Sequence, residues 1–200
     1  MILRRQTRKI HVGAVSVGGD APIAVQSMTN TDTSDVEATV AQIKRLEESG
    51  CDIVRLAVLD TEAAKAISQI QDRIRIPLIA DIHFDYRLAI GAMENGADAI
   101  RINPGNLGGE EKTKLVVEAA RAHNVSIRVG VNSGSIEKDL LKAHGYPTPE
   151  NTTALIESAL RNVHLVEKYG QSDIKIYIKS SDVLTTINSK KQHSKKNNNT

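Results

Sequence analysis

The sequence predicts an α/β fold, an incomplete (β/α)8 TIM barrel holding about six of the eight units. Three observations lead there. Short apolar runs alternate with amphipathic helical patterns, which implies a parallel sheet covered by helices. Five of those runs end in a cation or an acid/base residue: Arg55 after DIV, Asp81 and His83 in PLIADIH, Arg101 and Asn103 in AIRIN, Arg128 with Asn132 in SIRVGVN, and Lys179 in IKIYIK. The first run is followed by QSMTNTDTSD rather than by a Gly-rich phosphate loop. A doubly wound sheet usually carries such a loop, whereas a barrel spreads its ligand residues over many strand ends.

The elements follow in order. Arg8 to Val17 alternates around Gly13 and reads as a short hairpin leading in. Pro22–Ser27 is the first apolar strand, and Thr31 to Ser34 supply capping residues before a helix. In that helix Val36, Val40, Ile43 and Leu46 recur at helical spacing until Gly50 stops the run. The second unit pairs strand Ile53–Ala57 with helix Thr61–Gln71. The third pairs Pro77–Asp81 with Tyr86–Glu94, ended by Gly96. The fourth pairs Ala99–Ile102 with Glu110–Ala122 across a PGNLGG turn. The fifth is Ser126–Gly130, then a long connection and a helix from about Pro149 to Tyr169. The sixth strand is Ile174–Lys179, with a further helix beginning at Asp182 and Val183.

A barrel domain is expected over residues 1–188. The remaining SKKQHSKKNNNT has no apolar residue and reads as a disordered Lys/Asn-rich tail. Such a tail is commonly just solvated chain. With two barrel units wanting, it also reads as the mark of a truncated or frame-shifted reading frame. An open sheet of this kind would leave its first and sixth strands with unpaired edges, so poor stability of the chain alone is expected.

Composition narrows the function. The formal charge is +2, and removing the four lysines of the tail leaves −2 on residues 1–188. A slightly acidic body with only five aromatic residues argues against nucleic acid. No apolar run has the length of a membrane span and no secretory signal opens the chain, so a cytoplasmic location without membrane contact is expected. The single cysteine, Cys51, permits no internal disulfide and cannot by itself hold a metal cluster; it reads as a small apolar packing residue.

Three arginines and a lysine at matching strand ends point to a doubly phosphorylated small molecule. Guanidinium meets phosphate oxygens two at a time, and lysine adds a mobile point charge. Any one of Arg55, Arg128 and Lys179 could be a surface ion-pair partner; four together are harder to explain that way. Asp81 and His83 lie two apart on one strand and face the same side. Such a pair could ligate a metal, but a hydrogen-bonding or acid/base role at a pocket fits better. In RINPGNLGG, Gly105, Gly108 and Gly109 free the backbone for close approach to an anion. Arg101 and Asn103 share that strand's face and favour a binding loop over a plain turn.

These residues sit in longer motifs: VGAVSVGGDAPIAVQSMTNTDTSDVEATVAQI, ADIHFDYRLAI, AIRINPGNLG, IRVGVNSGSIEKDL and KSSDV. Together, from about Arg4 to Val183, they resemble the N-terminal barrel of the 4-hydroxy-3-methylbut-2-en-1-yl diphosphate synthase family, iron–sulfur oxidoreductases of the non-mevalonate isoprenoid pathway. The resemblance implies reductive ring opening of 2-C-methyl-D-erythritol 2,4-cyclodiphosphate with loss of water. It implies a (β/α)8 barrel and a separate C-terminal domain with a [4Fe–4S] cluster held by three cysteines and a glutamate. It also implies a homodimer in which one chain's cluster domain caps the other's barrel mouth, and a flavodoxin or ferredoxin as electron donor. On this chain the family's diphosphate-binding cations fall on Arg55, Arg101, Arg128 and Lys179, and its polar pocket residues on His83, Asn103 and Asn132. No catalytic residue and no metal ligand is assigned. Nothing in the sequence resembles the cluster domain, so this polypeptide alone is expected to bind no cluster and to lack synthase activity. Two alternatives stay open: a cluster-free, diphosphate-binding barrel enzyme of the pterin-synthase type, and a non-catalytic binding module.

Overall fold

The computed structural model describes residues 5–197 and residue 199. A two-stranded antiparallel hairpin, β1 (Ile10–Val12) and β2 (Val15–Val17), precedes a six-stranded parallel sheet. Its strands are β3 (Gln26–Met28), β4 (Ile53–Ala57), β5 (Leu78–Asp81), β6 (Ala99–Ile102), β7 (Ser126–Asn132) and β8 (Ile174–Lys179). They lie side by side in chain order. A doubly wound sheet reverses its order at a switch point; an unbroken sequence of neighbours belongs to a barrel. The sheet curls enough for Arg128 on β7 to donate a hydrogen bond to Gln26 on β3 (3.1 Å), although three strands separate them. The chain therefore forms an incomplete (β/α)8 barrel.

Among the described residues seven α-helices accompany the sheet: α1 (Val36–Glu48), α2 (Thr61–Gln71), α3 (Tyr86–Glu94), α4 (Glu110–Ala122), α5 (Lys138–His144), α6 (Thr153–Lys168) and α7 (Val183–His193). Aspartates start four of them. Asp35, Asp60, Asp85 and Asp182 each accept a hydrogen bond from a first-turn backbone N–H, satisfying donors that the helix itself leaves unpaired. Gly50 and Gly96 lie just beyond α1 and α3 at φ 84° and 96°, a backbone region that a side chain would oppose.

Alternation along the strands divides the side chains between two faces. Val54, Leu56, Leu78, Ala80, Ile100, Ile102, Ile127, Val129 and Val131 point outward and pack against Ile43, Ile67, Met93, Val117, Leu155 and Val163 of the helices. The inner face is apolar at its lower end. There Ile53, Ile79 and Ala99 meet Val12, Val15 and Val17 of the hairpin, which plugs the barrel floor. Each fully buried isoleucine contributes about 1.5–3 kcal/mol.

Several boundaries differ from the sequence expectation. The first strand pairs over Gln26–Met28 rather than Pro22–Ser27, and Pro22, lacking an N–H, lies before the ladder. The long connection after β7 contains a helix, α5, too short to show periodicity; the Asp139–Arg161 ion pair (2.8 Å) ties it to α6. The boundary placed at 188 falls inside α7, which runs on to His193. Ser189 and His193 are buried, and the Ser189 hydroxyl donates to the Thr185 carbonyl (2.6 Å). Small and polar residues can face a helix packing surface, which composition alone does not reveal. Beyond the helix, Asn199 donates to Glu167 (3.1 Å); residues 198 and 200 lie outside the described residues. No helix of the described residues is long and apolar enough to cross a membrane.

Candidate functional site

The inner face changes character one pleat above the floor. In register across the sheet stand Asp81 on β5, Arg101 on β6, Arg128 on β7 and Lys175 on β8. Asp81 is the centre of the group. Its side chain is 5% exposed, Arg101 Nη1 donates to its Oδ1 at 3.0 Å, and Arg55 Nε lies 3.5 Å from its Oδ2. His83 Nε2 stands 3.7 Å from Oδ1, and its ring meets Phe84 edge-on. Arg55 also points two N–H groups at the Met28 sulfur, 3.1 and 3.3 Å away.

Two guanidinium groups thus hold one carboxylate, and a third, Arg128, stands beside Arg101 in the strand register. Arg128 has no ion-pair partner among the described residues: it donates to Gln26 and lies over the Tyr177 ring, 4.6 Å from the centroid. Burial, then the neighbouring positive charge of Arg55, holds its guanidinium below the ordinary arginine value. The Nε–H groups of Arg101 and Arg128 are buried with no acceptor among the described residues. Unsatisfied buried donors are rare and need a reason, and an anion supplies one. Arg101 also depends on the lack of a side chain at Gly130, where a Cβ would lie 2.7 Å from Arg101 Nε.

Above this row a cavity of about 300 Å³ is lined by His83, Arg101, Asn103, Asn106, Asn132 and Ser135. The two strand-end asparagines do structural work as well. Asn103 Oδ1 accepts from Gly105 N (3.2 Å) and Asn132 Oδ1 from Gly134 N (3.1 Å), each shaping a 3-10 turn at the cavity wall. Asn103 Nδ2 donates to Ser135 Oγ (2.9 Å), which joins the two turns. Asn132 Nδ2 has no partner among the described residues and is available to a ligand. Of the glycines in PGNLGG, none lines the cavity; Gly109 instead caps α4.

The structure thus brings Arg55, His83, Arg101, Asn103, Arg128 and Asn132 into one neighbourhood around Asp81. Lys179 stands apart, exposed at the rim opposite Asn132 with no ion pair among the described residues. Sequence reasoning missed Lys175, Ser135, Gln26 and Tyr177. Lys175 was legible, because IKIYIK alternates and puts residues 175, 177 and 179 on one face.

Metal chemistry finds no cradle among these residues. No group of three or more His, Cys, Asp or Glu among the described residues could hold a metal ion. Cys51 is buried at the opposite end of the sheet, its thiol directed at the Ile53 carbonyl (3.1 Å). A [4Fe–4S] cluster normally needs several thiolates, so the residues of this chain do not fit one.

Comparison with known proteins places this geometry in a family. Residues 7–200 match the GcpE TIM-barrel domain. The chain is 70% identical over 195 residues to the 4-hydroxy-3-methylbut-2-en-1-yl diphosphate synthase (flavodoxin) of Desulfotalea psychrophila, covering 98% of this chain and 54% of that protein. The enzyme of the same name from Clostridium perfringens is 57% identical over 98% of this chain and 55% of its own length. The chain thus spans about half the length of the curated relatives it matches. Among solved structures, dihydropteroate synthase from Stenotrophomonas maltophilia superposes with a TM-score of 0.64 at 18% identity, over 90% of this chain and 69% of the other. The Yersinia pestis enzyme in complex with a sulfonamide drug gives 0.62 at 10% identity, over 84% and 67%. These two likenesses concern the fold alone. The extent and identity of the sequence matches decide the matter: the chain belongs to the GcpE TIM-barrel domain family.

Proposed function

We propose that this chain is the diphosphate-binding half-barrel of a 4-hydroxy-3-methylbut-2-en-1-yl diphosphate synthase, and that 2-C-methyl-D-erythritol 2,4-cyclodiphosphate is the ligand of its upper inner face. The observation that carries this reading is the charge balance around Asp81. One buried carboxylate pairs with Arg55 and Arg101 while Arg128 beside them has no ion-pair partner among the described residues, and two of the three guanidinium groups keep a buried donor without an acceptor. A ligand with two phosphate groups supplies the missing negative charge and several oxygens to span adjacent arginines.

The roles follow from position. Arg55 and Arg101, held by Asp81, form one clamp, and Arg128, steadied by Gln26 and Tyr177, forms the next. His83 and the Asn132 amide line the cavity above and donate to phosphate or hydroxyl oxygens. Lys179, exposed at the rim, adds a mobile positive charge at the entrance. Reductive ring opening with loss of water needs two electrons, for which this chain's residues offer no carrier. Its own contribution is binding and orientation. The name of the relatives supports flavodoxin as the electron donor to the complete protein.

Isothermal titration with the cyclodiphosphate tests the reading. Wild type binds it, and Arg101→Ala, losing a charge-assisted contact of about 1.5–3 kcal/mol, binds about 10- to 150-fold more weakly. Failure of wild type to bind, or preference for a pterin diphosphate over the cyclodiphosphate, contradicts it.

A further inference from the structure

We propose that Lys175 is a proton-linked cation of the anion site, gaining its proton together with the bound anion; this rests on the diphosphate reading above. Lys175 is next to Arg128 in the β7–β8 register and on the same face. It is half-buried, lining a cavity of about 360 Å³ with Arg5, Gln26, Ile53 and the hairpin's Val17 on the open side between β3 and β8. No carboxylate among the described residues pairs with it. The charged and titratable groups facing it are Arg128 from β7, Arg55 from β4, Arg5 from the N-terminal segment and Tyr177 from its own strand, with Lys190 of α7 beyond the Tyr177 ring. Asp81, the one acid of the row, is occupied by Arg55 and Arg101.

A lysine so placed holds its proton weakly. Burial first, then Arg128 and Arg55, bring its pKa down from 10.5 to about 8. An anion on the arginines offsets the positive charge that depresses it, so the amine binds its proton more firmly when the site is filled. Linkage makes the converse true: the proton on Lys175 strengthens anion binding.

The test is calorimetric titration of the full chain with inorganic pyrophosphate at pH 8, in two buffers of different ionisation enthalpy. The ligand's own ionisation enters every measurement alike, so differences between variants carry the answer. Wild type takes up about half a proton more per anion than Lys175→Met, since an amine of pKa near 8 is half protonated at that pH. Lys175→Arg binds without the extra uptake. Should Lys175→Met fold poorly, the 13Cε resonance of Lys175 in wild type reports the same event, its titration midpoint rising when pyrophosphate is added. Pyrophosphate binding with equal uptake in wild type and Lys175→Arg, or a midpoint that does not move, overturns the role of Lys175 alone. Absence of pyrophosphate binding by wild type overturns the diphosphate reading and this inference with it.

Discussion

The lower and upper layers of the inner face are one pleat apart and chemically opposite. Ile53 precedes Arg55 by two residues, Ile79 precedes Asp81, and Ala99 precedes Arg101. Two residues along a strand is about 6.6 Å. Within that distance the interior passes from an apolar plug sealed by the hairpin to a row of charges with unsatisfied donors. Stability and binding are therefore written on the same strands at different heights. Damage to the lower layer should be beyond the reach of any ligand; damage to the charge balance of the upper layer should be repairable by an anion.

Ile79→Ala makes the sharpest cut in the lower layer. It should destabilise by about 2–5 kcal/mol, read as a lowered urea midpoint at unchanged slope. Pyrophosphate should add the same stabilisation to this variant as to wild type, restoring none of the specific loss.

In the upper layer, Asp81→Asn removes the carboxylate from Arg55 and Arg101. A cost of about 3 kcal/mol is expected, the lower end for a broken buried pair because Arg55 and Arg101 keep side-chain exposures of 22% and 20%. Here pyrophosphate should recover much of the lost thermal stability, because it replaces the missing counter-charge. Equal rescue of Ile79→Ala and Asp81→Asn would erase the distinction between the layers.

Gly130→Ala separates positioning from folding. The new Cβ meets the flexible Arg101 guanidinium rather than backbone, so the melting temperature should change little while the guanidinium is displaced. Pyrophosphate binding should fall roughly fivefold, about 1 kcal/mol.

The smallest effect concerns Lys175. Because its folded pKa is depressed to about 8 from 10.5, the unfolded chain binds its proton better between those values. The penalty is full below about pH 8 and fades as pH rises to 10.5. Lys175→Met should thus raise the melting temperature at pH 7 by about 2–4 °C, the shift of about 1 kcal/mol in a domain of this size, after allowing for solvent at the partly exposed amine. The gain should shrink toward pH 10.

The strands and most helices were legible because short apolar runs alternate with helical spacing, as at Val36, Val40, Ile43 and Leu46, and Gly50 and Gly96 mark where helices stop. The strand-end positions of Arg55, Arg101 and Arg128 were legible for the same reason. What the sequence hid depends on partners distant in the chain. Gln26 matters because the sheet curls it toward Arg128, 102 residues away. Ser135 matters because it bridges the turns of Asn103 and Asn132. α5 lacks a side-chain cap and is only seven residues long, and α7 continues through residues whose composition resembles solvated chain.

The central claim is that the upper inner face, and no other surface, receives the diphosphate. Side-chain 15N and 13C spectra of the full chain, recorded while inorganic pyrophosphate is titrated in, test it most directly. The account predicts shifts concentrated on the Arg55, Arg101 and Arg128 guanidinium groups and the Asn132 amide, with smaller ones at Lys175 and Lys179. Shifts centred on the outer cleft of Lys44, Arg73 and Arg75, or spread evenly over the surface lysines, would contradict it.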